Sequence, residues 1–317
     1  MSQKIRAICA GILVADVIGR PIDAVPAPGT LALVPSISPH IGGGAANTGI
    51  GLQTLGIATV VAGKVGRDGF GDFVRRELEK SGVTARICED PSAPTSATMV
   101  LVQSDAERAF LHCTGANATL QLEDFGDDLL EEGELLHIAG AGLMPRFDGT
   151  NTAKLLQKAR ERGLKTSLDT AGAPDEKWCE NLRECLPFLD FFVPSLHEAQ
   201  FLFPDENSPE KLAARFLECG VQVVALKMGE RGSFVSDGAQ THFVPPFSVA
   251  ALDATGAGDA FAAGFLAGVL SGFSLLESAR LGNAAGALVV TQIGTVAGYC
   301  SLEKTLDFIQ KHSNPLR

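Results

Sequence analysis

The sequence predicts an α/β fold, a largely parallel sheet covered by helices on both faces. Two observations predict it. Between 123 and 226, short apolar runs alternate with helical stretches. Two glycine-rich turns, one inside 41–56 and one inside 253–270, each run straight into a helix. The 317 residues are 45% hydrophobic and 20% charged, enough to bury a sizeable core and to exclude global disorder.

Residues 5–12, IRAICAGI, read as a buried strand. Residues 17–40 are rich in Pro and Gly and suit exposed strands and turns. IGGGAANTGIGLQTLG (41–56) is a triple-glycine turn feeding a helix. Three glycines in a row are costly in backbone entropy, so the turn is tight or something approaches its backbone closely. ATVVAGKVG (58–66) is a strand, and 68–83 an amphipathic helix with Phe70, Phe73, Val74 and Leu78 on its apolar face. TSATMVLVQ (95–103) and RAFLHC (108–113), joined by the polar link SDAE, form a hairpin and hence a small accessory sheet.

The βα region then gives strands at 135–142, 164–169, 188–195 and 221–229, with helices at 149–162, 175–186, 196–203 and 208–219. A hairpin turns at Asp237-Gly238 within 233–246, and helices follow at 274–294 and 301–311. No repeat, low-complexity tract or linker divides the chain, so 1–317 reads as one domain. In open parallel sheets ligands lie beyond the carboxyl ends of strands, where Asp169, Ser195, Glu198, Lys227 and Gly229 fall.

Net charge is −11, which offers no electrostatic reason to seek nucleic acid or anionic membrane. Seven scattered cysteines with no CxxC pair read as free thiols in a reducing compartment. The apolar N-terminus is interrupted by Asp16 and lacks a convincing cleavage site, and no uncharged run is long enough to span a bilayer. A soluble, cytoplasmic protein is expected.

The chemistry concentrates in DATGAGDAFAAGFLAGVL, 253–270. Small residues at Gly256-Ala257-Gly258 leave backbone N–H groups free to face an anion, and the helix N-terminus adds partial positive charge. Asp259 beside such a cradle is placed to take a proton from an attacking hydroxyl.

DATGAGD at 253–259 and GGGAAN at 42–47, together with KVGRDGFGDFVRRELEKSGV and LKMGERGSF, resemble the signatures of the ribokinase-like sugar kinases, the PfkB family. The resemblance spans essentially the whole chain. It implies a three-layer α/β/α sandwich with a small β-sheet lid, whose segments would be about 13–40 and 94–116. It implies ATP-dependent phosphorylation of a primary hydroxyl of a small sugar, with Mg2+ and, in some members, K+.

By the same resemblance, Asp259 is the base and the amides of Gly256, Ala257 and Gly258 are the anion hole. Asp16, ending the first strand, would take two sugar hydroxyls, with Gly43, Gly44 and Asn47 lining that pocket. Glu198 would organise Mg2+ through water, although Ser195 replaces the Asn of the family's Asn-x-x-Glu pattern. Lys227, Gly229, Asn283 and Gly286 would contact nucleotide, and Asp253 and Thr255 would frame a monovalent cation. Arg108 and His112 alternate on one face of a lid strand, where Arg108 would suit an acidic or phosphorylated substrate.

Val14 stands where ribokinases place an Asn, and the LDTAG run at 168–172 lacks the following Arg of the fructokinase and ketodeoxygluconate kinase pattern, so the sugar is left open. A nucleoside kinase on the same fold also presents a diol and a primary hydroxyl, but Phe110 alone gives the lid little to stack a base on. A catalytically silent sugar- or nucleotide-binding regulator is the alternative from another class, and no GxGxxG supports a dinucleotide dehydrogenase. Exposed lid edges suit pairing of two subunits into a homodimer.

Overall fold

A computed structural model describes residues 4–104, 107–126, 128–131, 133–172 and 174–312. The chain runs β1 (Ala7–Gly11), β2 (Val14–Arg20), β3 (Ser36–Gly42), α1 (Gly44–Thr54), β4 (Thr59–Gly66), α2 (Gly69–Lys80), β5 (Thr84–Asp90), β6 (Ala97–Val102) and β7 (Arg108–Cys113). It continues β8 (Leu135–Ala141), α3 (Thr150–Glu161), β9 (Lys165–Thr170), α4 (Glu176–Cys185), β10 (Phe191–Phe192), α5 (Leu196–Leu202), α6 (Pro209–Glu218) and β11 (Val223–Lys227). The β12 (Ser233–Ser236) and β13 (Thr241–Val244) hairpin leads into α7 (Ala257–Leu270), α8 (Leu275–Val289) and α9 (Leu302–His312).

Nine strands form the main sheet in the order β13-β12-β11-β10-β9-β8-β1-β4-β5, parallel from β11 to β5 and antiparallel in the terminal hairpin. Alternate side chains of β1 point to opposite layers. Ala7 and Cys9 pack with α1, α2, α7 and α8, whereas Ile8 and Ala10 pack with α3, α4, α5 and α6. The result is the three-layer sandwich expected. Strand order reverses at β1, which pairs with β4 on one side and β8 on the other. That reversal opens a crevice at the carboxyl ends of β1 and β8.

A separate sheet, β3-β2-β6-β7, covers this crevice. Its inward face carries Asp16 opposite His40 and Thr98, with His112 next in the row. Its outward face exposes Ile37, Met99 and Leu111.

Three expectations about the fold are corrected, and one strand was not anticipated. Asp16 does not end the first strand, because β1 stops at Gly11 and Asp16 belongs to the second sheet. Phe70 leaves the apolar face of α2 and is 40% exposed, since it lies in the first turn beside the Asp68 cap. The strand expected over 188–195 contracts to β10, because a 3-10 turn ends at Phe188 and Pro194 has no N–H to give. The edge strand β5 was not anticipated, since its sequence TARICED is too charged to carry an apolar pattern. In the hairpin link, Asp105 and Ala106 lie outside the described residues, as do residues 1–3 and 313–317.

Asp68 ties the two sheets together. It caps α2 by accepting from the Gly71 amide at 2.9 Å, and it accepts the Thr95 amide and hydroxyl, both at 2.7 Å, just before β6. Losing the cap and both Thr95 bonds leads us to expect Asp68→Ala to lose about 1–3 kcal/mol in urea unfolding. A loss under about 0.5 kcal/mol would mean that these bonds add nothing over water.

Candidate active site

The site forms where two helix N-termini meet at the crevice. At the first, Gly43 adopts φ +91°, and a Cβ there would lie 2.4 Å from the Ile12 carbonyl oxygen. Only glycine lets the chain turn so closely over the end of β1. Next to it, the Asp16 carboxylate rests on Gly42, where a Cβ would collide with Oδ2. The turn delivers Asn47, 3% exposed, into the crevice. At the second turn Gly256 is left-handed at φ +80°, packed on the Thr295 backbone, and opens α7.

The two turns are joined. Asn47 Nδ2 donates to Asp259 Oδ2 at 2.8 Å, while Asn47 Oδ1 is buried without a partner among the described residues. Such an acceptor is costly to bury unless a donor reaches it. A ligand hydroxyl is a donor of the right kind. Burial pushes the Asp259 carboxyl up; the Asn47 bond and the Lys227 charge oppose that rise.

At the N-terminus of α7 the Ala257 amide is turned back onto the Ala254 oxygen at 3.3 Å. This corrects the expected trio. The amides without an acceptor among the described residues are those of Gly256, Gly258 and Asp259.

Lys227 carries a pairing the sequence did not show. Its Nζ lies 2.5 and 2.6 Å from the two Asp169 carboxylate oxygens, so the ammonium is ion-paired where it lines the cavity. Burial alone would lower the Lys227 pKa, but Asp169 and Glu198 outweigh it and hold the ammonium charged. The pair is aimed with purpose: a Cβ on Gly258 would come within 3.3 Å of Nζ, so the charge stands beside the open amides. Asp169 was recognised as a strand-end residue, but nothing in the sequence paired it with Lys227.

Ser195 caps α5 and forms a reciprocal box with Glu198. Glu198 Oε2 accepts the Ser195 amide at 2.8 Å and its hydroxyl at 2.5 Å, and Ser195 Oγ accepts the Glu198 amide at 3.2 Å. The hydroxyl is therefore engaged within the chain. Glu198 is close enough to raise the pKa values of both Asp169 and Asp259. Among the described residues no cluster of three His, Cys, Asp or Glu side chains forms a metal cage. A Mg2+ ion at this site would have to be held mainly by phosphate and water, and Glu198 is the carboxylate that would face it.

A cavity of about 500 Å³ extends from Lys227 and Gly258 past Gly229 to Asn283 and Gly286. Gly286 leaves room against the Ala257 oxygen, and Gly282 lies against the Phe261 ring, where a Cβ would be 2.9 Å away. Asn283 lines this cavity with its amide donors tied to the Val244 and Pro245 oxygens at 3.1 and 3.0 Å. It frames the wall, leaving only its side-chain oxygen to read a ligand.

Arg108 is the largest correction. Instead of pointing at substrate, its Nη1 donates to Asp253 Oδ1 at 2.8 Å and to Thr255 Oγ1 at 2.7 Å. Asp253 and Thr255 were the residues expected to frame a monovalent cation, and an ion placed on these side-chain oxygens would face a like charge. His112 is held by Thr98 at 3.1 Å.

A sequence model of the pfkB family carbohydrate kinases matches residues 4–301. The chain belongs to that family. It is a sugar kinase by this membership. It is 30% identical over 249 residues to an uncharacterised sugar kinase of Archaeoglobus fulgidus, covering 78% of this chain and 98% of the other. It is 28% identical over 296 residues to the 2-dehydro-3-deoxygluconokinase of Bacillus subtilis, covering 89% and 90%. A structure assigned as a ribokinase II of E. coli, in complex with ATP and Mg2+, superposes with a TM-score of 0.86 at 25% identity, covering 97% of this chain and all of that one. Arabidopsis thaliana ribokinase complexed with ribose and ATP shares the fold at a TM-score of 0.83 and 23% identity, with 97% and 99% covered. No helix among the described residues is long and apolar enough to cross a membrane.

In this kinase Tyr299 had no signal beyond being the only tyrosine. Its hydroxyl donates to the Asn47 carbonyl at 3.0 Å and its ring packs on Gly51, which pins α1 behind Asp259. Burial also pushes the Asp16 carboxyl up to about 6, with the Thr98 bond opposing and Asp259 and Asp253 adding to the rise. An unfolded Asp titrates near ~3.9, so between those two pH values the folded state binds more protons. Stability from this residue therefore falls as pH rises to about 6. We expect Asp16→Asn to be more stable than the parent by on the order of 1–3 kcal/mol at pH 7.5, and by less at pH 5, in urea unfolding. A gain independent of pH would sink the assignment.

Proposed function

We propose that this sugar kinase transfers the γ-phosphate of ATP to a primary hydroxyl of a small sugar or sugar-like molecule held beneath the second sheet. The observation that carries the reading is the position of Asp259. It lies beside the open amides of Gly256 and Gly258, with the 500 Å³ cavity beyond them, and is joined to Asn47 from the other side. Sugar hydroxyls bind Asp16 and the unpartnered Asn47 Oδ1, with Gly43 and Gly44 closing the pocket floor. The nucleotide lies along the cavity past Gly229 and Gly286.

Asp259 accepts the hydroxyl proton as the sugar oxygen attacks phosphorus, and the open amides with Lys227 take up charge on the transferring group. Glu198 would hold Mg2+ through water, and the ion would supply neutralisation of phosphate charge. The described chain works as one kinase domain, with β3-β2-β6-β7 as a lid that excludes water during transfer. Its setting is the cytoplasm, where seven free thiols stay reduced.

A panel of sugars, sugar acids and nucleosides with ATP and Mg2+, read by ADP release, tests the reading. At least one sugar should draw phosphate. Asp259→Asn should then lower kcat by about 10²- to 10⁴-fold while ATP binding, read by calorimetry, stays within a few fold. Near-normal turnover in that variant would remove Asp259 from the base role.

We also place a second copy of the chain on the outer face of the lid, where Ile37, Met99 and Leu111 are exposed. Monomeric soluble proteins rarely leave a large apolar patch open. Sedimentation should show a dimer that Leu111→Asp converts to monomer; a monomeric parent at micromolar concentration would end this proposal.

A further inference from the structure

Arg108 is the first residue of β7, an edge strand of the lid, yet its guanidinium ends on the loop that leads into the open amides of α7. That loop hangs on one carboxylate. Asp253 Oδ1 accepts the Thr255 amide at 2.9 Å, the Thr255 hydroxyl at 2.6 Å and Arg108 at 2.8 Å. Asp253 Oδ2 accepts the Gly294 amide at 3.0 Å. Thr255 Oγ1 accepts from Arg108 while donating to Asp253, so guanidinium, hydroxyl and carboxylate form a closed triangle. Gly256 follows at once, its left-handed turn seated on the Thr295 backbone. The hydroxyl of Thr295 in turn donates to the Ile41 oxygen, in lid strand β3, at 2.6 Å. The pair is sheltered, with 25% of the Arg108 and 11% of the Asp253 side chain exposed.

We propose that Arg108 is a positioning residue, a cation carried by the lid that locks the 253–256 turn in the geometry that aims the Gly256 and Gly258 amides, so that this kinase needs no monovalent ion there. The charge is covalently attached to the lid. When the lid sheet lifts, the guanidinium leaves with it and Asp253 is left uncompensated. When the lid closes over a sugar, the turn is set. Lid closure and completion of the anion-binding turn are thus one event, and ATP is held ready for transfer only with the acceptor site covered.

The proposal rests on the ATP-dependent kinase reading, and its test separates the two. The first arm needs no substrate. Hydrogen exchange of the β6 and β7 amides should be about fivefold or more faster in Arg108→Ala and in Asp253→Asn than in the parent, with the main sheet unchanged. Unchanged exchange in both variants overturns the latch, whatever the panel of acceptors finds.

The second arm is kinetic. Turnover by the parent should be the same in potassium, sodium and tetramethylammonium chloride at equal ionic strength. Arg108→Ala should lose about 10- to 100-fold in kcat with little change in the sugar KM, and added guanidinium chloride or potassium should recover part of the loss. Arg108→Lys should fall between them, since an ammonium keeps the charge but not the planar fork. Potassium activation of the parent overturns the proposal. So does an Arg108→Ala variant that raises KM for acidic sugars while keeping kcat, which would return Arg108 to substrate binding.

Discussion

One hydrogen bond organises this molecule, from Asn47 Nδ2 to Asp259 Oδ2. It spans 212 positions of sequence and joins the first turn of α1 to the first turn of α7. Both helices must therefore start at the same point above the sheet, and nearly everything near the crevice serves that requirement. Gly43 lets α1 begin directly over β1, Gly256 lets α7 begin against the 295 loop, and Tyr299 holds the Asn47 backbone from behind. The bond also fixes which amide atom of Asn47 is left over. One Nδ2 hydrogen goes to Asp259, and Oδ1 is left with no partner among the described residues, so the residue offers an acceptor to a ligand donor.

The same economy of side chains shapes the half of the crevice that holds the 500 Å³ cavity. A Cβ on Gly264 would lie 2.6 Å from the Leu281 oxygen, and one on Gly268 would meet Ser278 at 2.8 Å. Glycines in a helix interior are destabilising by about 0.5–1 kcal/mol each relative to Ala. Here they allow α7 and α8 to approach backbone to backbone. The close approach brings Gly286 over the Ala257 carbonyl, which leaves the cavity floor flat beside the open amides. Helix stability is given up for the width of a binding cleft.

The layered fold was legible because βα alternation and the two glycine turns are local patterns, and each survives in the structure at nearly the expected residues. Asp259 and Asn47 could be singled out for the same reason: each stands in the first turn after a glycine bend. What was not legible is the pairing of charged side chains. Lys227 and Asp169 lie on strands separated by β10, and Arg108 and Asp253 are 145 residues apart. Periodicity says which face a residue occupies, but not which opposite charge is folded against it. Asp16 shows a subtler limit. Its position inside an apolar run looked like a strand end, because nothing local marks the change from the main sheet to the lid between Gly11 and Val14.

Those hidden pairs change the electrostatic character of the site. Asp16, Asp169, Glu198, Asp253 and Asp259 gather around Lys227 and Arg108, and each of the two cations is already held by a carboxylate. Burial lowers the pKa of His40 and His112 on the lid, so neither adds positive charge at neutral pH. A bare polyphosphate entering such a site would meet Asp259, Glu198 and few free cations. Backbone amides at α7 supply partial charges only. Under the proposed reaction the balance of charge would arrive with the nucleotide, as a divalent ion on its phosphates. The carboxylates would then disfavour phosphate that comes without its metal, and Asp259 would remain to take the hydroxyl proton.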